Sequence, residues 1–147
     1  MPSNPVILIP ARMGSSRFPD KVMAEIAGAP MIVQVWRRAM AANLGRVVIA
    51  AAEAIIVETI EALGGEAVLT DPNHPSGSDR IYEALRKIDP KGRHDVVLNL
   101  QGDLPTIEPD AICIALAPLS DSAVDIATIG TEIVIETERT DPNVVKV

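Results

Sequence analysis

Val6-Ile7-Leu8-Ile9-Pro10-Ala11-Arg12-Met13-Gly14-Ser15-Ser16-Arg17-Phe18-Pro19-Asp20-Lys21 passes without a break from a continuous apolar run into a polar, glycine-containing loop. A short uninterrupted apolar run predicts a strand covered on both faces by helices. A strand that ends in such a loop presents backbone N–H groups to a phosphate chain. Arg12, Arg17 and Lys21 then supply charge for several phosphates, the arginines as planar forks and the lysine as a compact point charge. This is a nucleotide-triphosphate site in outline. The spacing matches neither the Walker A motif nor the dinucleotide fingerprint, and a solvated basic connection has the same composition.

Outward from that stretch, Val22 to Gly28 alternates weakly and predicts a short extended piece and a turn. Pro30 suits the first residue of a helix, with Ile32, Val35, Trp36, Ala39 and Met40 on its packed face. Arg46 to Ala51 predicts a second buried strand. Glu53 to Leu63 predicts a helix with Ile56, Ile60 and Leu63 on one side, stopped by Gly64-Gly65. Glu66 to Leu69 predicts a third strand, followed by a long polar connection, Thr70 to Arg80, and a helix carrying Ile81, Leu85 and Ile88. Ser76 or Ser78 is its expected N-cap. Asp95 to Leu100 predicts a fourth strand that ends in Gln101-Gly102-Asp103-Leu104-Pro105. Helical spacing returns at Ile112, Leu116 and Leu119 after Glu108-Pro109, then a fifth strand is expected at Val124 to Ile129 and a last extended piece at Val144 to Val147. Strands alternating with amphipathic helices define a doubly wound α/β domain with a largely parallel sheet.

The 147 residues are 48% hydrophobic, enough for one substantial core in a single domain. The apolar runs fall far short of a bilayer span and the first residues carry no basic leader, so a cytoplasmic protein without a membrane association is expected. One cysteine, Cys113, rules out an internal disulfide framework and predicts a buried structural thiol. The net charge is −7 and aromatic residues make up 2%, which argues against nucleic-acid binding. The charge is uneven. Residues 1–46 sum to +4 and the remainder to −11. A basic patch in an acidic chain suits a small polyanion; Arg37, Arg38 and Arg46 read more simply as a solvated helix face and turn.

In an open parallel sheet, ligands bind beyond the carboxyl ends of the strands. Three polar loops, at Arg12, at His74 to Arg80 and at Gln101 to Asp103, are thereby expected in one crevice. Mg²⁺ takes a few carboxylate oxygens together with substrate phosphates and water, so a strand-end Asp103 beside the basic loop suits a metal ligand; an N-cap or turn aspartate is the alternative. Gln101 suits a base edge or a sugar hydroxyl, or is an exposed turn amide. His74 and His94 read as polar surface residues.

Residues 10–21 follow the pattern Pro-Ala-Arg-x-x-Ser-x-Arg-x-Pro-x-Lys, which resembles the signature loop of the sugar-activating cytidylyltransferases. His74-Pro75-Ser76-Gly77-Ser78-Asp79-Arg80 resembles the segment His-x-Ser-Gly-Thr-Asp/Glu-Arg of the 3-deoxy-manno-octulosonate (Kdo) cytidylyltransferases, with Ser78 keeping the threonine hydroxyl. Gln101-Gly102-Asp103-x-Pro105, Gly64-Gly65-Glu66 and Asp141-Pro142-Asn143-Val144-Val145-Lys146-Val147 extend the likeness from end to end. The resemblance implies a three-layer Rossmann-like nucleotide-diphospho-sugar transferase fold with a largely parallel, mixed sheet whose C-terminal part is missing. It implies a CTP-dependent enzyme that activates Kdo to CMP-Kdo with release of pyrophosphate, for lipopolysaccharide precursors. Arg12, Lys21 and Asp103 are the catalytic residues it implies. Pro10, Ala11, Arg12, Ser15, Arg17, Lys21, Ser76, Gly77, Gln101 and Asp103 would bind nucleotide, Arg80 and Gln101 the acidic sugar, and Asp103 a Mg²⁺ cofactor.

Three positions depart from the family pattern. Asp20 stands where glycine is common, Leu104 where glutamate is common, and Ala51-Ala52 where a Thr-Asp pair is frequent. Family members also continue well past the Val-Lys-Val segment, and that part supplies a second metal-binding Asp, much of the sugar pocket and a homodimer contact. A cytidylyltransferase for another acidic sugar, such as a sialic acid, and a non-catalytic nucleotide-binding module remain the alternatives.

Overall fold

The computed structural model describes residues 2–14 and 19–147. Ser15, Arg17 and Phe18, which the sequence places in the phosphate loop, lie outside the described residues. The architecture rests on β1 (Pro5–Ala11), whose side chains alternate between two packed layers. Ile7 and Ile9 enter one core and Val6 and Leu8 the other. β1 pairs in parallel with β4 (Arg46–Ala51) on one side and with β6 (Val96–Asn99) on the other, and β4 pairs in parallel with β5 (Glu66–Leu69). The sheet order is therefore β5-β4-β1-β6. The chain first winds away from β1 in one direction and then returns to add β6 on the opposite side. That reversal is a topological switch point, between the carboxyl ends of β1 and β6.

The helices follow from the reversal. α1 (Met31–Ala41) and α2 (Ala54–Glu61) pack on the face that receives Ile7, Ile9, Val47 and Ile49, through Ile32, Val35, Ala39, Ile56 and Ile60. α3 (Gly77–Ile88) connects β5 to β6 across the sheet and packs Ile81, Leu85 and Ile88 on Val6, Leu8 and Val48. The expected layered α/β fold is present, and all four strands of the sheet are parallel. A separate antiparallel hairpin, β2 (Glu25–Ile26) with β3 (Ala29–Pro30), follows a 3₁₀ turn at Lys21–Met23, where the sequence suggested only an extended piece and a turn. Pro30 precedes the helix rather than opening it, and Met40 is exposed while Met31 and Val33 fill the core instead. Leu63 is also exposed, because α2 stops at Glu61 and the chain turns through Gly64 at φ 78°.

The carboxyl-terminal quarter differs more. α4 (Pro109–Ile114) buries Ile112, and a 3₁₀ turn at Ala117–Ser120 follows Leu116. The strand expected at Val124 to Ile129 does not form. The Asp121 carboxylate accepts the Ala123 N–H and the Asp121 carbonyl accepts the Val124 N–H, so the chain turns there. Residues 124–129 then face β6 and α4 across a cleft of about 1170 Å³ instead of joining the ladder. Val144 to Val147 is likewise not a strand, with Val145 and Val147 in solvent. No helix among the described residues is long and apolar enough to cross a membrane.

Candidate nucleotide-binding site

A cavity of about 360 Å³ opens at the switch point, where the loops after β1, β5 and β6 meet. Pro10 is the pivot of this meeting. A Cβ on Gly102 would stand 2.7 Å from the Pro10 carbonyl oxygen, and one on Gly77 would stand 3.2 Å from its ring. Glycine at these two positions lets three loops close to within one ligand's reach.

The loop after β1 is held from both ends. The Met13 N–H donates to the Glu53 carboxylate at 3.0 Å, and the Asp20 N–H donates to the Met13 carbonyl at 2.9 Å. Asp20 itself has φ 58°, a left-handed conformation that glycine takes freely and aspartate tolerates better than most residues. Its departure from the family's glycine therefore keeps the turn. Lys21 follows, and its ammonium donates to the Asp103 carboxylate at 3.0 Å. Both side chains are about half exposed, so the pair lies open at the cavity. Asp103 is thus an ion-pair partner here and not a helix cap. Arg12 is exposed at the end of β1 and lines the same cavity. Gln101 lines it too, its amide donating to the Asn99 side chain at 2.9 Å.

The opposite wall is His74-Pro75-Ser76-Gly77. Ser76 caps α3, its hydroxyl accepting the Asp79 N–H at 3.1 Å, which settles the choice between Ser76 and Ser78. Arg80 stands at the edge of the cavity but is only 2% exposed. Burial lowers the pKa of its guanidinium; Glu53 counters that effect and the positive charge of Arg12 adds to it. His74, expected as a polar surface residue, is half-buried and contacts Glu83. Glu83 is pulled down to about 2 by the Lys87 ammonium, then by the Asp71 N–H and His74. His94 lies apart from the cavity, against the Asn4 carbonyl at 3.0 Å. Cys113 is half-buried, with its Sγ 3.7 Å from the Ala42 carbonyl.

The structure thus brings Pro10, Ala11, Arg12, Lys21, Ser76, Gly77, Arg80, Gln101 and Asp103 to one cavity. Glu53, Thr70 and Glu83 were not singled out in the sequence. Glu53 and Thr70 each follow the end of a parallel strand, and that placement was the available signal. Among the described residues no three His, Cys, Asp or Glu side chains converge as a metal cage. A single strand-end carboxylate facing a cavity that Arg12 and Lys21 also line fits Mg²⁺, which keeps several waters and takes phosphate oxygens as ligands.

A family model described as cytidylyltransferase matches residues 6–147. The chain belongs to the cytidylyltransferase family. It is 61% identical over 144 residues to a 3-deoxy-manno-octulosonate cytidylyltransferase of Methylobacterium nodulans, covering 98% of this chain and 58% of that protein. A 3-deoxy-manno-octulosonate cytidylyltransferase of Paramagnetospirillum magneticum is 56% identical over 142 residues, covering 97% of this chain and 58% of its own. The chain therefore spans a little over half the length of these curated relatives. Among solved structures, a CMP:2-keto-3-deoxy-manno-octonic acid synthetase complexed with CTP superposes with a TM-score of 0.75 at 38% identity, over 83% of this chain and 49% of that one. A cytidylyltransferase from Leptospira borgpetersenii shares the fold, with a TM-score of 0.66 at 22% identity over 78% of this chain and 48% of that one.

Proposed function

We propose that this chain carries the CTP site of an enzyme that transfers a cytidylyl group to 3-deoxy-manno-octulosonate. The single observation that carries the reading is the cavity at the switch point, where Arg12, Lys21 and Asp103 lie together on a scaffold similar to that of a synthetase complexed with CTP. In the reaction the sugar hydroxyl oxygen bonds to the α-phosphorus of CTP, the bond from that phosphorus to the bridging oxygen breaks, and pyrophosphate leaves with the electron pair. The hydroxyl proton passes to solvent or base. Arg12 and Lys21 hold the triphosphate and neutralise charge that accumulates on the departing pyrophosphate. Gln101 orients the base or the sugar through its amide. Asp103 is the residue that would hold a Mg²⁺ ion, which would supply further charge neutralisation. The names of the curated relatives favour Kdo over a sialic acid as the acceptor.

The Lys21–Asp103 pair gives the test its sharpness, because a metal ligand and a simple ion-pair partner respond differently to substitution. Calorimetric titration of CTP, UTP, GTP and ATP is expected to show selective CTP binding in the presence of Mg²⁺. Lys21→Ala weakens it about tenfold or more, the scale of a lost charge-assisted contact. Asp103→Asn weakens CTP binding with Mg²⁺ present and leaves it equal or tighter without Mg²⁺, since the substitution frees Lys21 and removes a negative charge. Equal losses with and without the metal would remove Asp103 from metal binding. No nucleotide binding at all would overturn the reading.

A further inference from the structure

Arg80, Glu83 and Lys87 lie on one stripe of α3, at i, i+3 and i+7, and all three reach back to the segment between β5 and the cavity wall. One guanidinium nitrogen of Arg80 donates to the Thr70 hydroxyl at 2.7 Å and to the Asp71 carbonyl at 2.9 Å; the other donates to the Pro72 carbonyl at 3.4 Å. Thr70 in turn donates to the Ala51 carbonyl at the end of β4, at 2.9 Å. The Glu83 carboxylate accepts the Asp71 N–H at 2.9 Å, contacts the His74 ring and accepts Lys87 at 2.6 Å. Lys87 also donates to the Leu69 carbonyl at 2.8 Å. Residues 69–74 are thus gripped by three charged side chains, and His74 begins the wall of the nucleotide cavity.

We propose that Arg80, Glu83 and Lys87 form a positioning clamp that sets the His74–Gly77 wall against the nucleotide, with Arg80 acting through the loop and not as a ligand of the sugar or phosphates. A buried arginine is tolerated where its fork is filled by acceptors, and here two carbonyls and a hydroxyl fill it. A lysine has no fork and cannot reach all three. The clamp rests on the nucleotide reading above, because its purpose is the placement of a wall of that site.

The test compares amide hydrogen exchange over residues 69–77 and CTP binding in the parent, Arg80→Lys, Glu83→Gln and Lys21→Ala. Both clamp variants are expected to speed exchange of the loop about tenfold or more while β1 and β4 stay protected. Their CTP dissociation constants rise about three- to tenfold, the effect of one weakened charged hydrogen bond. Lys21→Ala lowers CTP affinity with parental loop exchange. Glu83 is a quarter exposed, so Glu83→Gln carries the comparison should Arg80→Lys not fold. Parental loop exchange in the clamp variants, or faster exchange with unchanged CTP affinity, overturns the clamp. Loss of CTP affinity in Arg80→Lys with a parental loop makes Arg80 a direct ligand and also overturns it. Failure of the parent to bind CTP overturns the nucleotide reading instead.

Discussion

Residues 5–11 and residues 124–129 are both rich in β-branched apolar side chains, and they end in opposite states. Val6, Ile7, Leu8 and Ile9 are fully buried between two helical layers and hydrogen-bonded to a strand on each side, whereas Ile126 is 88% exposed and its segment has no ladder. The difference is one of partners. A strand is stabilised by its neighbours' backbone groups and by side chains above and below it, and alternation in one segment supplies neither. The central strand is bounded on every side; the later segment faces a cleft.

The largest expected effect tests that contrast directly. Leu8→Ala removes a fully buried side chain and is expected to cost about 2–5 kcal/mol in urea unfolding, while Ile126→Ala changes stability by less than about 0.5 kcal/mol. A loss at Ile126 comparable to that at Leu8 would show that residues 124–129 pack in solution, and the contrast would fail.

The same contrast explains what the sequence made legible. β1 and β4 were readable because short apolar runs bounded by turn residues describe strands covered on both faces, β5 and β6 because similar short runs recur although these edge strands stay partly exposed, and α1, α2 and α3 because their apolar residues recur at helical spacing. The convergence of Arg12, Ser76 and Asp103 was readable because a parallel sheet sends its loops to one edge. The direction of Arg80 was not. Its guanidinium meets the Thr70 hydroxyl and the Asp71 and Pro72 carbonyls, eight to ten residues earlier in the chain, and helical spacing within 77–88 carries no sign of those partners. The missing fifth strand was illegible for the complementary reason, since periodicity records a face and never a partner.

An intermediate effect is expected at the pivot. Gly102→Ala sets a Cβ 2.7 Å from the Pro10 carbonyl, a backbone atom that cannot rotate away. β1 and β6 must part slightly, costing about 1–3 kcal/mol in urea unfolding. CTP affinity falls with it, because Lys21 and Asp103 sit on the two loops that separate. Unchanged stability and affinity would mean that the loops are less tightly closed than the geometry shows.

The smallest effect comes from one carboxylate of the clamp, and its sign is fixed by the direction of its shift. Glu83 is lowered from 4.5 to about 2 in the folded protein, chiefly by Lys87 and then by the Asp71 N–H and His74. A depressed carboxylate binds its proton less readily when folded than when unfolded, so folding favours the charged form. Its contribution is complete above about 4.5 and is lost as the pH falls towards about 2. The urea midpoint of the parent should therefore exceed that of Glu83→Gln near neutral pH, and the gap should close across this acid window. Asp95, lowered mainly by the Ser3 N–H, titrates in the same direction in both proteins and cancels from the comparison. A gap that stays constant through the window would place the benefit of Glu83 in its packing and not in its charge, leaving Arg80 as the electrostatic part of the clamp.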